Sequence, residues 1–388
     1  MFLDGCQLCA LLSIKHDVRK VFRSDENLSA RGDENGDFLH RDTGAERVSG
    51  RKIKNMDELA KVSEISRPTL SKYFNDPDSV RKTTRVKIES ALEEYDYRPN
   101  IFAINQNRKL TKTIGILVPY LADPFFAEIA RRIERRCIEA GFWPTVFSAH
   151  GEQELENNAL ATMQSLRPAG ALIAPLGRRS DFEAVKRFTE DVPTVVFDSN
   201  VNVGEAFVGH DNFQSTDLIV DYLCRTGEPP CFFEMPPLNP NANKRREAYV
   251  QAMERLGHAP QVIQVEGSNW DFEQIGLDGG KRLIAERSLP SNTVLCSNDR
   301  LAIGLIAAAY QKGLRVGHGP ECALRIAGHD DHPWSRFTCP SLTTVSQDYS
   351  AIADRSVEIL FGLIHEGKQA QARVETLFEG NLVLRTSA

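Results

Sequence analysis

Apolar residues in the stretch Asn55 to Asn75 (NMDELAKVSEISRPTLSKYFN) fall twice into helical spacing. Met56, Leu59 and Ala60 recur at i, i+3 and i+4, which lines one face of a short helix. Glu64-Ile65 break the period, and Ser66 stands where a helix N-cap belongs, its hydroxyl able to accept a backbone N–H of the next turn. Leu70, Tyr73 and Phe74 repeat the spacing, with Pro68 in the first turn, where a missing N–H costs little. Two amphipathic helices joined by so tight a turn predict a helix-turn-helix. With one face buried, Arg67, Pro68, Ser71, Lys72 and Asn75 point outward, beside Ser66, where a recognition helix meets the major groove of DNA. A helical hairpin inside an ordinary core has the same spacing, so the neighbouring segments decide between the two.

Residues 82–97 (KTTRVKIESALEEYDY) form a third amphipathic helix, with Ile88, Leu92 and Tyr95 at i, i+4 and i+7. Thr84 and Arg85 at its start suit phosphate clamps that fix register. Arg81 occupies the N-cap position in place of a small capping residue, which weakens that cap. From Thr113 the pattern changes to strands alternating with helices. Ile114 to Val118 is a continuous apolar run, the mark of a strand buried on both faces. Asp123-Pro124 starts a helix that Gly141 ends. Further buried strands are predicted at 144–148, 170–174, 194–198, 231–235, 261–265, 293–297 and 323–328. The fold class is therefore α/β, a small all-α headpiece followed by doubly wound parallel sheets. So many strands suggest two such sheets rather than one.

The segment 53–108 resembles the DNA-binding headpiece and hinge of the LacI/GalR family of transcriptional regulators. The resemblance rests on DELAKVSEIS, TLSKYFN, Val80, Thr84-Arg85 and Tyr97-Arg98-Pro99-Asn100, in that order, and continues nearly to the end of the chain. It implies a helix-turn-helix domain over 51–98, a hinge over 99–112, and an effector-binding and dimerisation domain over 113–388 like a periplasmic binding protein. That domain would have one lobe of about 113–211 and 347–372 and another of about 212–346 and 373–388, crossed three times by the chain. In such a headpiece Arg67, Pro68 and Lys72 choose the operator sequence. Lys72 and Arg67 can each donate to guanine O6 and N7. The hinge would fold on DNA and enter the minor groove, with Asn100, Ala103 and Gln106 as contacts. Gln106 stands at the position of the family's apolar wedge, where its amide is costly to desolvate.

The resemblance also places an effector cleft at the carboxyl ends of the strands, where ligands bind in open α/β sheets. Its residues would be Asp123, Phe125 and Phe126 of the family's (N/D)PFF motif, Asp198, and Arg245 at the sugar-contacting arginine. Trp270, Asn298, Asp330 and Gln347 complete the set. Carboxylates, amides, a guanidinium and aromatic faces suit a polyol, whose hydroxyls both donate and accept. Plainer roles compete: Asp123 and Asp299 also read as helix caps, Asp299 chiefly so, and only one of Phe125 and Phe126 is expected to face the cleft. His329-Asp330-Asp331-His332 looks like a metal cluster, but consecutive residues at a strand end alternate sides, so all four cannot converge on one ion. No metal and no cofactor are expected.

Net charge changes the picture more than composition does. The chain carries −6 over 388 residues, against nucleic acid at first sight. Residues 51–113, however, hold 14 Lys+Arg against 9 Asp+Glu, a local +5, while residues 1–50 carry −2 and the remainder −9. A basic head on an acidic body keeps phosphate attraction at one end. Residues 24–50 are polar and Gly-bearing and cannot bury a core, so 1–50 is expected to be a disordered extension outside the resemblance. Cys6-x-x-Cys9 has no second pair to suggest zinc, and the other six cysteines sit singly in apolar or helical contexts. No apolar run approaches the ~20 residues of a membrane span. Met1 to Ile14 lacks a basic start and a cleavage site, so a cytoplasmic protein is expected.

The expected protein is a non-enzymatic transcriptional regulator, a repressor by the resemblance. It pairs as a homodimer or tetramer with a pseudo-palindromic operator, and its DNA affinity answers to a small sugar-like effector. One rival is an enzyme on a Rossmann-like sheet, against which stand the lack of G-x-G-x-x-G after the first strand, of a P-loop and of G-x-S-x-G. The other rival is a sugar sensor that does not touch DNA, against which the basic headpiece speaks.

Overall fold

The structure, a computed structural model, describes residues 53–100, 111–265, 267, 269–366 and 373–388. The expected extension 1–50 and the hinge residues Ala103 and Gln106 lie outside the described residues.

In the headpiece, α1 (Met56–Ser63) starts at Asn55, whose side chain accepts the Glu58 N–H, and stops at Glu64, which turns left-handed at φ 55°. Only three residues separate it from α2 (Arg67–Asn75), capped by the Ser66 hydroxyl and stopped at Asp76. A single 3₁₀ turn, Pro77–Ser79, leads to α3 (Lys82–Glu94), and Arg81 makes no side-chain cap there. Leu59, Leu70 and Ile88, one from each helix, are fully buried, and Ile53, Ile65, Ala91 and Tyr97 close the core around them. Three short helices have little else to bury, so these contacts carry the headpiece's stability.

The body holds two parallel sheets. The first has six strands in the order β11-β5-β4-β3-β1-β2. These are β1 (Thr113–Val118), β2 (Trp143–Ser148), β3 (Gly170–Ile173), β4 (Thr194–Phe197), β5 (Ala206–His210) and β11 (Val374–Phe378). The second has four, β6 (Cys231–Phe233), β7 (Val262–Ile263), β8 (Thr293–Cys296) and β9 (Arg325–Ala327), in the order β7-β6-β8-β9. An antiparallel pair, β10 (Thr344–Ser346) and β12 (Asn381–Val383), adjoins the second lobe. Helices cover the sheets: α4 (Pro124–Glu139), α5 (Gln153–Ser165), α6 (Phe182–Asp191) and α11 (Tyr349–Glu366) on the first, α7 (Asn212–Thr226), α8 (Pro240–Arg255), α9 (Phe272–Glu286) and α10 (Asp299–Gln311) on the second.

Two differences from the expected lobes follow from register. Residues 374–378, expected in the second lobe, run parallel to β5 at the edge of the first sheet, so the last crossing falls after Phe378. β5 itself (AFVGH), fully buried and unpredicted, inserts between β4 and β11. Its Gly-His ending, between Gly204 and Asp211, reads as loop until a neighbouring strand supplies its hydrogen bonds. Of the lone cysteines, Cys137, Cys231 and Cys296 are buried, and burial pushes the Cys137 and Cys231 thiols up to about 12. Cys339 is exposed rather than held in an apolar setting.

Truncating Leu70 to Ala is expected to cost the headpiece about 2–5 kcal/mol, the usual range for a buried leucine. Its melting transition should fall while the body's does not, which calorimetry on the full chain resolves. A shift of both transitions together would mean that the two regions do not melt as separate units.

Candidate functional site

The parallel strands end on the same side as the crossings between lobes, and the loops at their carboxyl ends carry the polar side chains. A narrow cavity, nearly filled by its own side chains, lies there. All nine cleft residues expected from the sequence line it: Asp123, Phe125, Phe126, Asp198, Arg245, Trp270, Asn298, Asp330 and Gln347. Both phenylalanines reach it, not one. They meet edge-to-face at 4.9 Å, Phe125 continuing to Tyr349 and Phe126 to Trp270. Met235, Asn239, Asn241 and Phe272 also line the cavity and were not anticipated. Asn239 could have been found, because it precedes Pro240 as a helix N-cap and accepts the Ala242 N–H.

Asp330 is the hub of the site. Its Oδ1 receives Arg245 Nη2 at 2.7 Å, Gln347 Nε2 at 2.7 Å and His329 Nδ1 at 3.1 Å, while its carbonyl accepts the Tyr349 hydroxyl at 2.6 Å. Its backbone sits at φ 121°, a conformation that L side chains rarely adopt. Burial alone lifts this carboxyl, but the Arg245 guanidinium and then His329 outweigh it and hold the group below the usual carboxylate range. Arg245 spends its remaining nitrogens on Asn212 Oδ1 (2.8 Å) and the Ser297 carbonyl (2.7 Å). Asp198, at φ 60°, receives only the Asn241 amide, at 3.0 Å, and burial pushes it up to about 7, Arg245 offsetting part of the rise. Asp123 does cap α4, through the Phe125 N–H at 3.0 Å, and its second oxygen takes Arg300 Nη1 at 3.0 Å. Burial pushes it up to about 6 despite that partner.

Asp299 corrects an expectation. The cap of α10 is Asn298, whose side chain accepts the Leu301 N–H at 2.8 Å. Asp299, fully buried, instead gathers the His332 N–H and the hydroxyls of Ser335 and Thr344, all within 2.7 Å, and so pins the loop after Asp330 to β10. The run His329 to His332 disperses: His329 bonds Ser215 and Asp330, Asp331 bonds Arg385, and His332 accepts the Trp334 N–H. Among the described residues no group of His, Cys, Asp and Glu could hold a metal ion.

On the headpiece, Arg67, Pro68 and Lys72 are exposed on the outer face of α2, beside Ser66 at its cap, and Ser71 and Asn75 are half-buried. Arg67 leans on Asp57 of α1 at 3.3 Å, an exposed pair of small energetic weight. Thr84 and Arg85 are half-buried at the start of α3, and Asn100 is exposed. The Arg85 guanidinium donates to the Pro77 carbonyl and to Asp78, so it clasps the 3₁₀ turn to α3.

The unpaired state of Asp198 sets a pH signature. Its folded value lies above its unfolded one, so it favours the fold at low pH and loses that contribution as pH rises through about 7. Asp198→Asn, which keeps an acceptor for Asn241, should match the parent near pH 4 and exceed it increasingly up to pH 7, by as much as about 4 kcal/mol, levelling above. Thermal unfolding of both proteins across pH checks it, and a difference independent of pH would contradict it.

Residues 55–100 match the family described as bacterial regulatory proteins of the lacI family, and residues 230–388 match a periplasmic binding protein-like domain. The chain is 30% identical over 342 residues to the HTH-type transcriptional repressor PurR of Haemophilus influenzae (strain PittEE), covering 86% of this chain and 98% of that protein. It is 28% identical over 326 residues to the ribose operon repressor of Escherichia coli (strain K12), 83% of this chain and 97% of the other. A solved Lac repressor dimer, bound to operator and the anti-inducer ONPF, superposes with a TM-score of 0.74 at 25% identity, over 87% of this chain and 99% of that one. The chain belongs to the lacI family of bacterial regulatory proteins.

Proposed function

We propose that the protein is a cytoplasmic transcriptional repressor that binds a pseudo-palindromic operator as a homodimer or tetramer. A small neutral polyol, of the monosaccharide class, controls its affinity and is bound without being turned over. The observation that carries this reading is the pairing, in one chain, of an exposed basic recognition face with an aromatic-walled cavity whose polar groups come from both lobes. The names of its relatives, a ribose operon repressor and a repressor dimer on operator, support both halves. No helix of the described residues is long and apolar enough to cross a membrane. The proposed domain bounds are a headpiece to residue 98, a hinge over 99–112 and the two-lobed body beyond, with 374–378 in the first lobe.

Each proposed residue has a role. Lys72 and Arg67 read base edges, Pro68, Ser71 and Asn75 shape the contact, and Ser66, Thr84 and Arg85 meet phosphates. In the cavity, Trp270 and one of the phenylalanines cover the apolar faces of a ring. Asp198 and Gln347 exchange hydrogen bonds with hydroxyls, as does Asn298 where its cap leaves capacity. Asp330 and Arg245 hold each other and the strand ends in place, and Asp123 closes one wall.

Two experiments test the halves separately. Operator selection and shift assays should show Lys72→Ala losing about 1–3 kcal/mol and relaxing preference at one or two base pairs. Arg85→Ala should weaken every sequence alike, and should also lower the headpiece's melting temperature because it frees the Pro77 carbonyl. Calorimetry against pentoses and hexoses should find a ligand whose affinity falls several-fold in Gln347→Ala. Unaltered DNA binding in both headpiece variants, or product formation from the sugar, would refute the corresponding half.

A further inference from the structure

Arg300, the second residue of α10, was not among the expected site residues and does not line the cavity. It joins the lobes. Its guanidinium forks onto Glu273 of α9, Nε to Oε1 at 2.8 Å and Nη2 to Oε2 at 2.5 Å, both in the second lobe. The remaining nitrogen, Nη1, reaches Asp123 of the first lobe at 3.0 Å. Both the arginine and Asp123 are about nine-tenths buried, and the arginine lies against Phe272 of its own lobe and Tyr120 of the other.

Beside this bridge the second lobe inserts Trp270 into the first. The indole stacks on Tyr120 at 6.2 Å and meets Phe126 edge-on at 6.0 Å. Gly151 of the first lobe makes room for it: a Cβ there would come within 2.5 Å of the indole Cδ1, and its φ of +77° disfavours any side chain. Trp270 is only 4% exposed. It walls the cavity on one side and seals the lobes on the other.

We infer that the Arg300–Asp123 bridge is a latch that holds the two lobes together over the cavity and so governs access to it, with Trp270 as the plug it keeps seated. The inference rests on reading the cavity as the effector site. The physics favours a discrete latch over a soft contact. The contact between lobes is one desolvated, charge-assisted hydrogen bond, and breaking it strips Asp123 of its cation while it still caps α4. Glu273 keeps Arg300 in the second lobe, so opening separates Arg300 from Asp123 and not from Glu273. Arg300 is thus a positioning residue. It sets the equilibrium between open and closed lobes, and with it how fast small polar molecules enter, while touching none of them.

Trp270 reports on the latch without any effector. The chain has three tryptophans, and Trp143 and Trp334 are both more than half exposed, so replacing these two by Phe leaves Trp270 as the sole tryptophan, excited selectively over the tyrosines at long wavelength. Acrylamide, a small neutral amide, should quench Trp270 poorly in that background. In Arg300→Gln the quenching constant should rise several-fold while the headpiece transition stays unchanged. Glu273→Gln, which leaves the bridge between lobes in place, should raise it much less. If Arg300→Gln does not fold, Asp123→Asn serves instead, because asparagine caps helices as well as aspartate does. It should give the same rise. A folded Arg300→Gln, or failing that a folded Asp123→Asn, whose Trp270 is quenched no more than the parent's overturns the latch. Failure to bind any sugar would sink the effector reading and leave this measurement unaffected.

Discussion

One carboxylate, Asp330, holds the architecture of the cleft. The ends of β8 and β9 are brought together because Arg245 reaches the Ser297 carbonyl with one nitrogen and Asp330 with another. The start of α7 joins through Asn212, and the crossing that leads into α11 joins through Gln347 and Tyr349. Four chain segments therefore converge on a buried ion pair and its hydrogen bonds. Such a pair contributes little net stability against a well-packed apolar alternative, yet removing one partner strands a buried charge and is strongly destabilising. Its value lies in geometry. The rare backbone conformation of Asp330 is tolerable only because so many partners over-determine where the carboxylate must lie.

What could be read from the sequence divides along the distance between partners. The headpiece is local: the cap at Ser66, apolar i, i+3, i+4 spacing and a missing cap at Arg81 are all properties of a few adjacent residues, and each appears in the structure. The buried strands are nearly as legible, since continuous apolar runs mark them. β5 and β11 were not. β5 ends in Gly-His, and β11 is an edge strand with mixed exposure, so their pairing and not their composition makes them strands. The cap expected at Asp299 falls to Asn298 for a related reason. Both residue types cap helices, and only the hydroxyls of Ser335 and Thr344, more than thirty residues away, make Asp299 a buried hub. The residues that the resemblance assigns to the cleft come from distant segments, and they line one cavity. Arg300 was missed because its partner Asp123 lies 177 residues away and no local feature announces the pairing.

Charge is partitioned as the two regions require. The exposed face of α2 presents cations in water, where they attract phosphate at a distance and desolvate cheaply. In the body the arginines near the cavity are spent on protein carboxylates and carbonyls, Arg245 on Asp330 and Arg300 on Glu273 and Asp123. A cavity whose guanidinium nitrogens are already engaged, and whose other carboxyls are Asp123 and Asp198, offers an anion little. This argues for a neutral polyol over a sugar phosphate, a distinction that counting arginines in the sequence could not make.

The cavity also keeps hydrogen-bonding capacity unspent. Among the described residues, Trp270 Nε1 and Gln347 Oε1 are buried without a hydrogen-bond partner, and Asp198 is held by a single amide. Each such group costs stability where it stands, because a desolvated donor or acceptor without a partner has lost its bonds to water. Their neighbours are engaged, Asp299 with three short bonds and Arg245 with three partners. At the cavity wall that cost stands where a ligand can recover it: hydroxyls that receive the Trp270 N–H and donate to Gln347 and Asp198 would gain what the fold forgoes. Binding energy of that origin is by construction larger in the closed arrangement of the lobes than in an open one, since Trp270 comes from one lobe and Asp198 from the other. A ligand can shift a conformational equilibrium only by such a difference between states. The unsatisfied groups are therefore what would let a small neutral molecule act on the whole protein.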